Sequence, residues 1–353
     1  MTPQALNVLA AAVQRNCHIA DARYGADYSL CIYLMKMREY YRWEMRLPFG
    51  APLEKDAVGD WLSARERLWE ELEGAELQPL PIDGACLDPF DADAINARLG
   101  DHGLVYSSGL GNRAQPHFFL GALERRTEAG GCAVYVAATE YARDLAAPPA
   151  MTRGRSIFLR RESLHRMLWE KLESWRWNRP DNALGRAFAC YPFDADLDGA
   201  LTAMTDHEIN AVLLHEQGEV AAGQCLGEPA WNAMLMDLAL TPAELMARAV
   251  RDHLADCLVT LPYLTGSADA EPDVAGLHFY LGNLTAMRRA IFPGLAAAYE
   301  QWHRHGDLAI LADSAERGRV HWAQLGQAML ALHHRHGEEA AEPIRQLVDA
   351  NHL

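Results

Sequence analysis

The stretch HEQGE, which runs from His215 to Glu219, carries one imidazole and two carboxylates. On a helix, His215 and Glu219 lie one turn apart on the same face, where they offer a nitrogen and an oxygen ligand to one metal ion. Glu216 then falls on a neighbouring apolar stripe, where a carboxylate is costly unless it is paired, protonated or metal-bound. The pattern indicates a metal or acid/base centre. The alternative is that Glu216 borders the core and reaches solvent, or pairs with an arginine.

The residues just before this stretch have a simpler explanation. Thr205 and Glu208 have the spacing of a capping box, in which the threonine caps the first turn and the glutamate reaches back to the cap. A zincin motif would need a second histidine four residues after His207, and that position is Ala211. The segment therefore predicts a helix that begins near Thr205.

Further ligands for such a centre must come from other helices. Glu44 shares a helical face with apolar residues, whereas Glu39 points away from that face, so Glu44 is a candidate buried acid. His253 lies at the border of another apolar face and is a second candidate. Asp252 and Asp256 lie opposite that face, where we expect them to be solvated.

The segment LHFYLGNLTAMRRAIF adds a histidine, His278, and an arginine, Arg288, that falls inside the apolar arc. A buried arginine needs an anionic partner, which is Glu216, Glu44, or a carboxylate or phosphate of a substrate. A structural ion pair is the alternative. The predicted metal ligands are listed together: His215, Glu219, Glu44, His253 and His278. Glu216 is predicted as a third ligand or general base, and Arg288 as the group that binds an anion.

The composition limits the classes of partner. The 353 residues have a formal net charge of −16, and an acidic surface repels phosphate backbones, so nucleic acid is not expected. Seven cysteines, an odd number without a C-x-x-C pair, argue against a disulfide framework and against a cysteine zinc site. The N-terminal residues MTPQALNVLAAAVQRN lack the basic lead of a signal peptide, and the apolar runs are too short to span a bilayer. We therefore expect a cytoplasmic protein without membrane contact.

The elements that must position these residues are mainly helical. Helical spacing of apolar residues occurs at 5–21, 27–46, 60–73, 162–175, 242–259, 276–291, 295–303 and 321–336. Four short segments, GLVYSSGLG, PHFFLGALER, GGCAVYVAATE and RSIFLR, predict strands with a hairpin turn at 129–131. The predicted class is α+β, mainly helical, with two related helical units that flank a small antiparallel sheet. The predicted divisions are 1–103, 104–160 and 161–353, or one compact domain.

The relation between the two helical units depends on an internal repeat. LWEELE at 68–73 returns as LWEKLE at 168–173, PFDAD at 89–93 returns at 192–196, and an Asp-His pair follows each copy. The order is the same and the offset is close to 100 residues each time, which indicates a duplicated unit.

Three segments together carry a resemblance to known sequences. CIYLMKMREYYRWE, LHEQGE and LHFYLGNLTAMRR, taken in this order, resemble an uncharacterised bacterial protein family of roughly this length. The resemblance covers most of the chain and implies no activity.

Two functions remain open at this stage. The first is a helical enzyme or ligand-binding protein with a metal or acid/base centre, whose metal is iron, manganese or zinc and whose ligand is a small anion. The second is a non-catalytic scaffold or assembly factor that uses a protein–protein interface. Convergence of imidazole and carboxylate groups from several helices would favour the first.

Overall fold

The computed structural model describes residues 1–266 and 270–353 and shows a mainly helical α+β protein. Its N-terminal part consists of helices and a short antiparallel ribbon. These elements are α1 (Pro3–Tyr24), α2 (Leu30–Glu44), α3 (Lys55–Leu72), β1 (Leu80–Ile82), β2 (Ala85–Leu87) and α4 (Ala92–Leu99). Among the described helices, none is long and apolar enough to cross a membrane.

A five-stranded sheet follows and forms the centre of the molecule. Its strands are β3 (Leu104–Leu110), β4 (Pro116–Ala129), β5 (Cys132–Arg143), β6 (Ala150–Arg153) and β7 (Ser156–Arg160), in the order β3-β4-β5-β7-β6. Gly130 and Gly131 form the predicted hairpin turn, and both have the positive φ that this turn requires. The sheet is mixed, not purely antiparallel, because β7 pairs in parallel with β5.

The C-terminal part is helical. Its helices are α5 (Arg161–Arg176), α6 (Ala183–Ala189), α7 (Leu197–Leu226), α8 (Glu228–Asp237), α9 (Pro242–Ala255), α10 (Leu261–Thr265), α11 (Val274–Asn283), α12 (Ala286–Ile291), α13 (Pro293–His305), α14 (Ala309–His336) and α15 (Ala341–Asp349). A π-helical segment, Asp256–Thr260, joins α9 to α10. Segments of this kind occur often at functional sites because they alter the direction of side chains within a helix.

Helix α7 connects the sheet to the C-terminal helices. One side of α7 packs against α5, β6 and β7, and the other side packs against α9 and the π-helical segment. The first core contains strand residues such as Val134 and Leu159 together with Leu168 of α5 and Met204 of α7. A second core surrounds Trp231 and Trp322 in the C-terminal helices. Side chains near the middle of α7 are therefore held between two packed layers.

The two copies of the sequence repeat adopt different local structures. Asp91, the third residue of the first PFDAD, caps α4, whereas Asp196, the fifth residue of the second, caps α7. The first Asp-His pair lies in a 3-10 turn, and the second lies inside α7. LWEELE, by contrast, lies at the end of α3 and LWEKLE lies in α5, so this pair is helical in both copies. The repeat therefore marks similar helical and helix-capping sequences whose detailed positions differ.

Candidate metal centre

Helix α7 begins earlier than the capping box predicts. Its cap is Asp196, whose side chain accepts a hydrogen bond from the Gly199 amide. Thr205 is buried inside the helix, and its hydroxyl donates to the Leu201 carbonyl at 2.7 Å. The prediction of a helix start at Thr205 is wrong because a threonine hydroxyl can bond to a carbonyl one turn back as well as to a cap. The HEQGE stretch consequently lies well inside a long regular helix.

Helices α7 and α9 approach each other closely beside this stretch. A methyl group on Gly218 would overlap the backbone of Ala255, so only glycine permits this approach. The close approach brings the one-turn pair His215 and Glu219 of α7 against acids near the end of α9.

Three side chains from the two helices present ligand atoms to one point. One atom each of His215, Glu219 and Asp252 lies within 4.8 Å of the others. The His215 Nδ1 atom is 2.8 Å from Asp256 Oδ1, and its Nε2 atom is 3.9 Å from Glu219 Oε1. Asp256 therefore fixes the ring through Nδ1, and Nε2 remains directed at Glu219. A carboxylate that holds a histidine in this way is typical of metal sites.

Asp256 is itself held by groups from two further helices. Arg288 of α12 forms an ion pair with it, and the Tyr280 hydroxyl of α11 donates to it at 3.0 Å. Burial alone would raise the pKa of Asp256, but the charges of Arg288 and His215 hold that pKa well below its usual range. Asp256 is therefore ionised, and it orients the imidazole as a fixed negative charge.

The charges of the centre leave a negative excess. Its four carboxylates and two guanidinium groups are Glu216, Glu219, Asp252, Asp256, Arg251 and Arg288. Once His215 has released its proton to bind a metal ion and every carboxylate is ionised, this set carries two negative charges. Burial and the neighbouring Glu219 raise the pKa of Glu216 to about 7, and burial is the main cause that raises the pKa of Asp252 to about 6. A divalent cation has the charge that would balance this excess.

Glu216 lies beside the centre in the wall of a cavity of about 270 Å³. Its side chain is 8% exposed, and one oxygen accepts a hydrogen bond from the Thr152 hydroxyl of β6 at 2.6 Å. His215 and Asp256 line the same cavity, and the remaining wall is largely apolar, with Met167, Val212 and Phe279. A mainly apolar cavity with a few convergent polar groups is the usual form of a small-molecule site. Among the described residues no arginine pairs with Glu216, and its side chain is largely shielded from bulk solvent.

Glu44, one of the predicted ligands, lies far from this centre in the fold. It is exposed at the end of α2, where it pairs with Arg65 of α3. The buried acid of α2 is Glu39, which was expected to point outward and is fully buried beside Arg42. The assumed helix face is wrong because α2 buries arginine and acid side chains as ion pairs, so apolar residues alone do not mark its inner side.

His253 and His278, two further predicted ligands, contact other residues and are not part of the metal centre. His253 stacks on Trp322 of α14, and its Nε2 atom is 2.9 Å from the Arg288 carbonyl. His278 is bonded to the Tyr299 hydroxyl at 2.8 Å.

In their place, α9 and the π-helical segment supply Asp252 and Asp256. The expectation that these two acids are solvated is wrong for Asp256, which is buried, and Asp252 is half-buried, because α9 is packed on both sides, by α7 and by α14. The available signal was the one-turn spacing of Asp252 and Asp256, which matches the spacing of His215 and Glu219. The anionic partner of Arg288 is likewise Asp256, not Glu216 or Glu44.

Comparisons with known proteins identify the family. The model of the N-terminal domain of a family of unknown function, DUF6866, matches residues 8–160, and the model of its C-terminal domain matches residues 165–351. Neither a curated protein nor a solved structure matches the chain. The two domain models lie in family order and together cover nearly the whole sequence, so the chain belongs to the DUF6866 family of unknown function.

Proposed function

We propose that this protein is an enzyme that uses one divalent metal ion, bound by His215, Glu219 and Asp252. The observation that carries the proposal is the convergence of these three ligand atoms within 4.8 Å, with the imidazole fixed by Asp256. One imidazole and two carboxylates suit iron, manganese or zinc better than calcium or magnesium, which prefer oxygen ligands alone. Three protein ligands leave coordination positions for water or substrate.

In this proposal, Glu216 is the general acid or base. It lines the same cavity as His215, and burial raises its pKa to about 7, so its carboxyl group can release or accept a proton near neutral pH. The metal ion would polarise a bound water molecule or a substrate oxygen. The reaction class is therefore metal-assisted proton transfer on a small molecule held in the cavity.

An anionic group on that molecule is the second part of the proposal. A neighbouring cavity of about 400 Å³ is lined by Glu219 and by Arg153 and Arg251. Arg153 has no carboxylate within 4.0 Å among the residues that the structure describes, and Arg251 is 3.6 Å from Glu219. Once Glu219 binds a metal ion, both guanidinium groups are available to a carboxylate or phosphate. This role replaces the anion binding that the sequence assigns to Arg288.

Elemental analysis by plasma mass spectrometry tests the metal. Untagged protein purified without chelator is expected to contain close to one equivalent of iron, manganese or zinc, and His215→Ala and Asp252→Asn are expected to lose it. His333→Ala is a matched control, because His333 also contacts a carboxylate, that of Asp237 at 2.7 Å, but belongs to no cluster of three ligands among the residues that the structure describes. Metal that survives His215→Ala would contradict the proposed ligands. Metal-free wild-type protein, with an unchanged melting temperature in His215→Ala, would instead favour the scaffold function.

A further inference from the structure

A second site with a different chemistry lies in the N-terminal part, between α1, α2 and α3. A cavity of about 370 Å³ there is lined by three aromatic side chains, Tyr28, Tyr33 and Trp69, and by two acids, Asp21 and Glu66. Trp69 is buried and its indole N–H donates to His18, whereas both tyrosines are half-buried. Leu30, which is 71% exposed, lies at the edge of the cavity and leaves it open to solvent.

Neither acid forms an ion pair within the described part of the chain, although the charges of Arg143 and Arg65 act on Asp21 from beyond contact distance. Among the described residues, no lysine, arginine or histidine lies within 4.0 Å of either carboxylate. In the part of the chain that the structure describes, both Asp21 oxygens accept a hydrogen bond only from the Leu145 amide, at 2.9 and 3.1 Å. Glu66 accepts a hydrogen bond from the Tyr33 hydroxyl at 3.2 Å. Burial, and next the charge of Asp144, raise the pKa of Asp21 well above its usual range. A positively charged group in the cavity would relieve this unfavourable environment.

The aromatic rings approach one point at the distance of a methyl contact. A methyl group placed on Gly25 would lie 3.4 Å from the Trp69 ring and 4.0 Å from the Tyr33 ring. The Lys36 ammonium lies 5.4 Å from the centre of the Tyr28 ring, within the range of a cation–π interaction, although Lys36 does not line the cavity. The rings therefore favour a group that combines positive charge with methyl surface.

We infer that this cavity binds an alkylammonium cation. The methyl groups of such a cation pack on Trp69, Tyr33 and Tyr28, and its charge interacts with the ring faces and with Asp21 and Glu66. A primary ammonium or a metal ion is more strongly hydrated and gains less from aromatic faces. The cation is either a free compound or the methylated lysine side chain of another protein, and both present the same trimethylammonium group.

The first experiment compares a cation with its uncharged isostere. The full-length protein is titrated with choline and tetramethylammonium, and with 3,3-dimethylbutanol, in which carbon replaces the charged nitrogen, and binding is followed by ligand-observed NMR. We expect choline to bind at least about tenfold more tightly than 3,3-dimethylbutanol, which corresponds to about 1.4 kcal/mol of charge-dependent affinity. Equal affinities, or no binding of either cation, would overturn the inference. A trimethyllysine peptide that competes with choline and binds more tightly identifies a protein side chain as the source; a weaker one identifies a free compound.

Gly25→Ala tests the cavity without disturbing the fold, because the added methyl would take up space beside the aromatic rings. Gly25 has φ −61° and ψ −31°, which alanine adopts without strain, and the added methyl lies at ordinary contact distance from both rings. We expect this variant to lose choline binding at least about tenfold while its melting temperature stays the same or rises. Glu66→Gln, at an exposed position, should weaken choline but not 3,3-dimethylbutanol. Choline affinity within a factor of about two of the wild type in Gly25→Ala would contradict the site.

Discussion

His215 makes two contacts, and the ring nitrogen that each one uses decides what the histidine can do. Its Nδ1 atom faces Asp256 and its Nε2 atom faces Glu219. A histidine whose Nδ1 donates to a buried carboxylate keeps the lone pair of Nε2 for a metal ion. Without a metal ion, burial would lower the pKa of His215, but the charge of Asp256 and its hydrogen bond outweigh burial and raise that pKa to about 10. The binding of a metal must therefore displace a proton.

Asp256→Asn tests this arrangement without removing a ligand. The amide cannot supply the negative charge that holds the imidazole, so metal affinity is expected to fall about 10- to 100-fold while the stoichiometry remains one. The measurement is competition with a chelator of known affinity. Tyr280→Phe is the matched control, because it removes a single hydrogen bond to Asp256 and should change affinity much less. An unchanged dissociation constant in Asp256→Asn would show that Asp256 does not position His215.

His18 gives a prediction for the pH dependence of stability. Burial is the main cause that lowers the pKa of His18 from 6.5 to about 3, and the charge of Arg65 is the second cause. Between these values the unfolded chain binds a proton that the native protein does not, so this histidine reduces stability as the pH falls below 6.5. The free energy of unfolding of the wild type, relative to His18→Gln, should therefore fall by about 2 kcal/mol from pH 7 to pH 5. Urea unfolding at several pH values measures it, and a constant difference would mean that His18 has the same pKa in the folded and unfolded states.

At the scale of elements, the contact between α7 and α9 assembles the metal centre. Gly218 makes the contact possible, because a side chain there would overlap the backbone of Ala255. Each helix brings a one-turn pair of ligands or acids, and neither pair can form the centre alone. The distance between the two helix axes is therefore as important to the centre as the identity of its side chains.

Gly218→Ala tests this dependence on one methyl group. We expect it to force the helices apart, to lower the free energy of unfolding by about 2–3 kcal/mol and to abolish metal binding. Gly223→Ala is the matched control on the same helix. A methyl there would meet its nearest neighbour at 3.6 Å, so this variant should be as stable as the wild type or slightly more so, and should bind metal normally. Normal metal content in Gly218→Ala would show that the centre tolerates a wider helix separation.

The sequence predicts which helices and strands are present better than it predicts which face of each one is buried. Every segment with helical spacing contains a helix, and the glycine hairpin at 129–131 is present, because periodicity and turn residues act locally. The parallel pairing of β7 with β5 has no local signal and depends on packing across the chain. The buried face of α2 was also missed, because Glu39 and Arg42 are buried as a pair, which hydrophobic periodicity cannot recognise.

The same limit applies to the candidate site. His215, Glu216 and Glu219 were predicted from one short segment because their relation depends only on helix geometry. Asp252 and Asp256 were missed because the partial burial of Asp252 and the full burial of Asp256 depend on packing by α7 and α14 at once. The aromatic cavity was not predicted at all, since Asp21, Tyr33 and Trp69 come from three helices whose relative positions no local pattern defines.

At the scale of the whole molecule, the two regions matched by the DUF6866 domain models share one interior. Thr152 of the N-terminal region donates to Glu216 of the C-terminal region. Ser163, which lies between the two matched ranges, donates to the buried Glu140 of the N-terminal region. The first core also crosses this boundary. It packs strand residues Val134, Val136, Ile157 and Leu159 against Leu168, Ala200 and Met204. The boundary between the two domain models thus passes through a continuous core.

This shared core predicts that the two regions fold together. Each buried Val, Leu, Ile or Met side chain stabilises the fold by about 1.5–3 kcal/mol. Separating the two regions would expose several such side chains at once. The stability lost would be comparable with that of a whole typical domain, about 5–15 kcal/mol. The fragments 1–160 and 161–353, produced separately, should therefore lack a cooperative thermal transition by near-UV circular dichroism, and co-expression should restore it. The intact chain should melt in one transition that saturating metal shifts upward as a whole. A sharp transition in isolated 161–353, with metal bound, would show instead that α7 and α9 form the centre without the sheet.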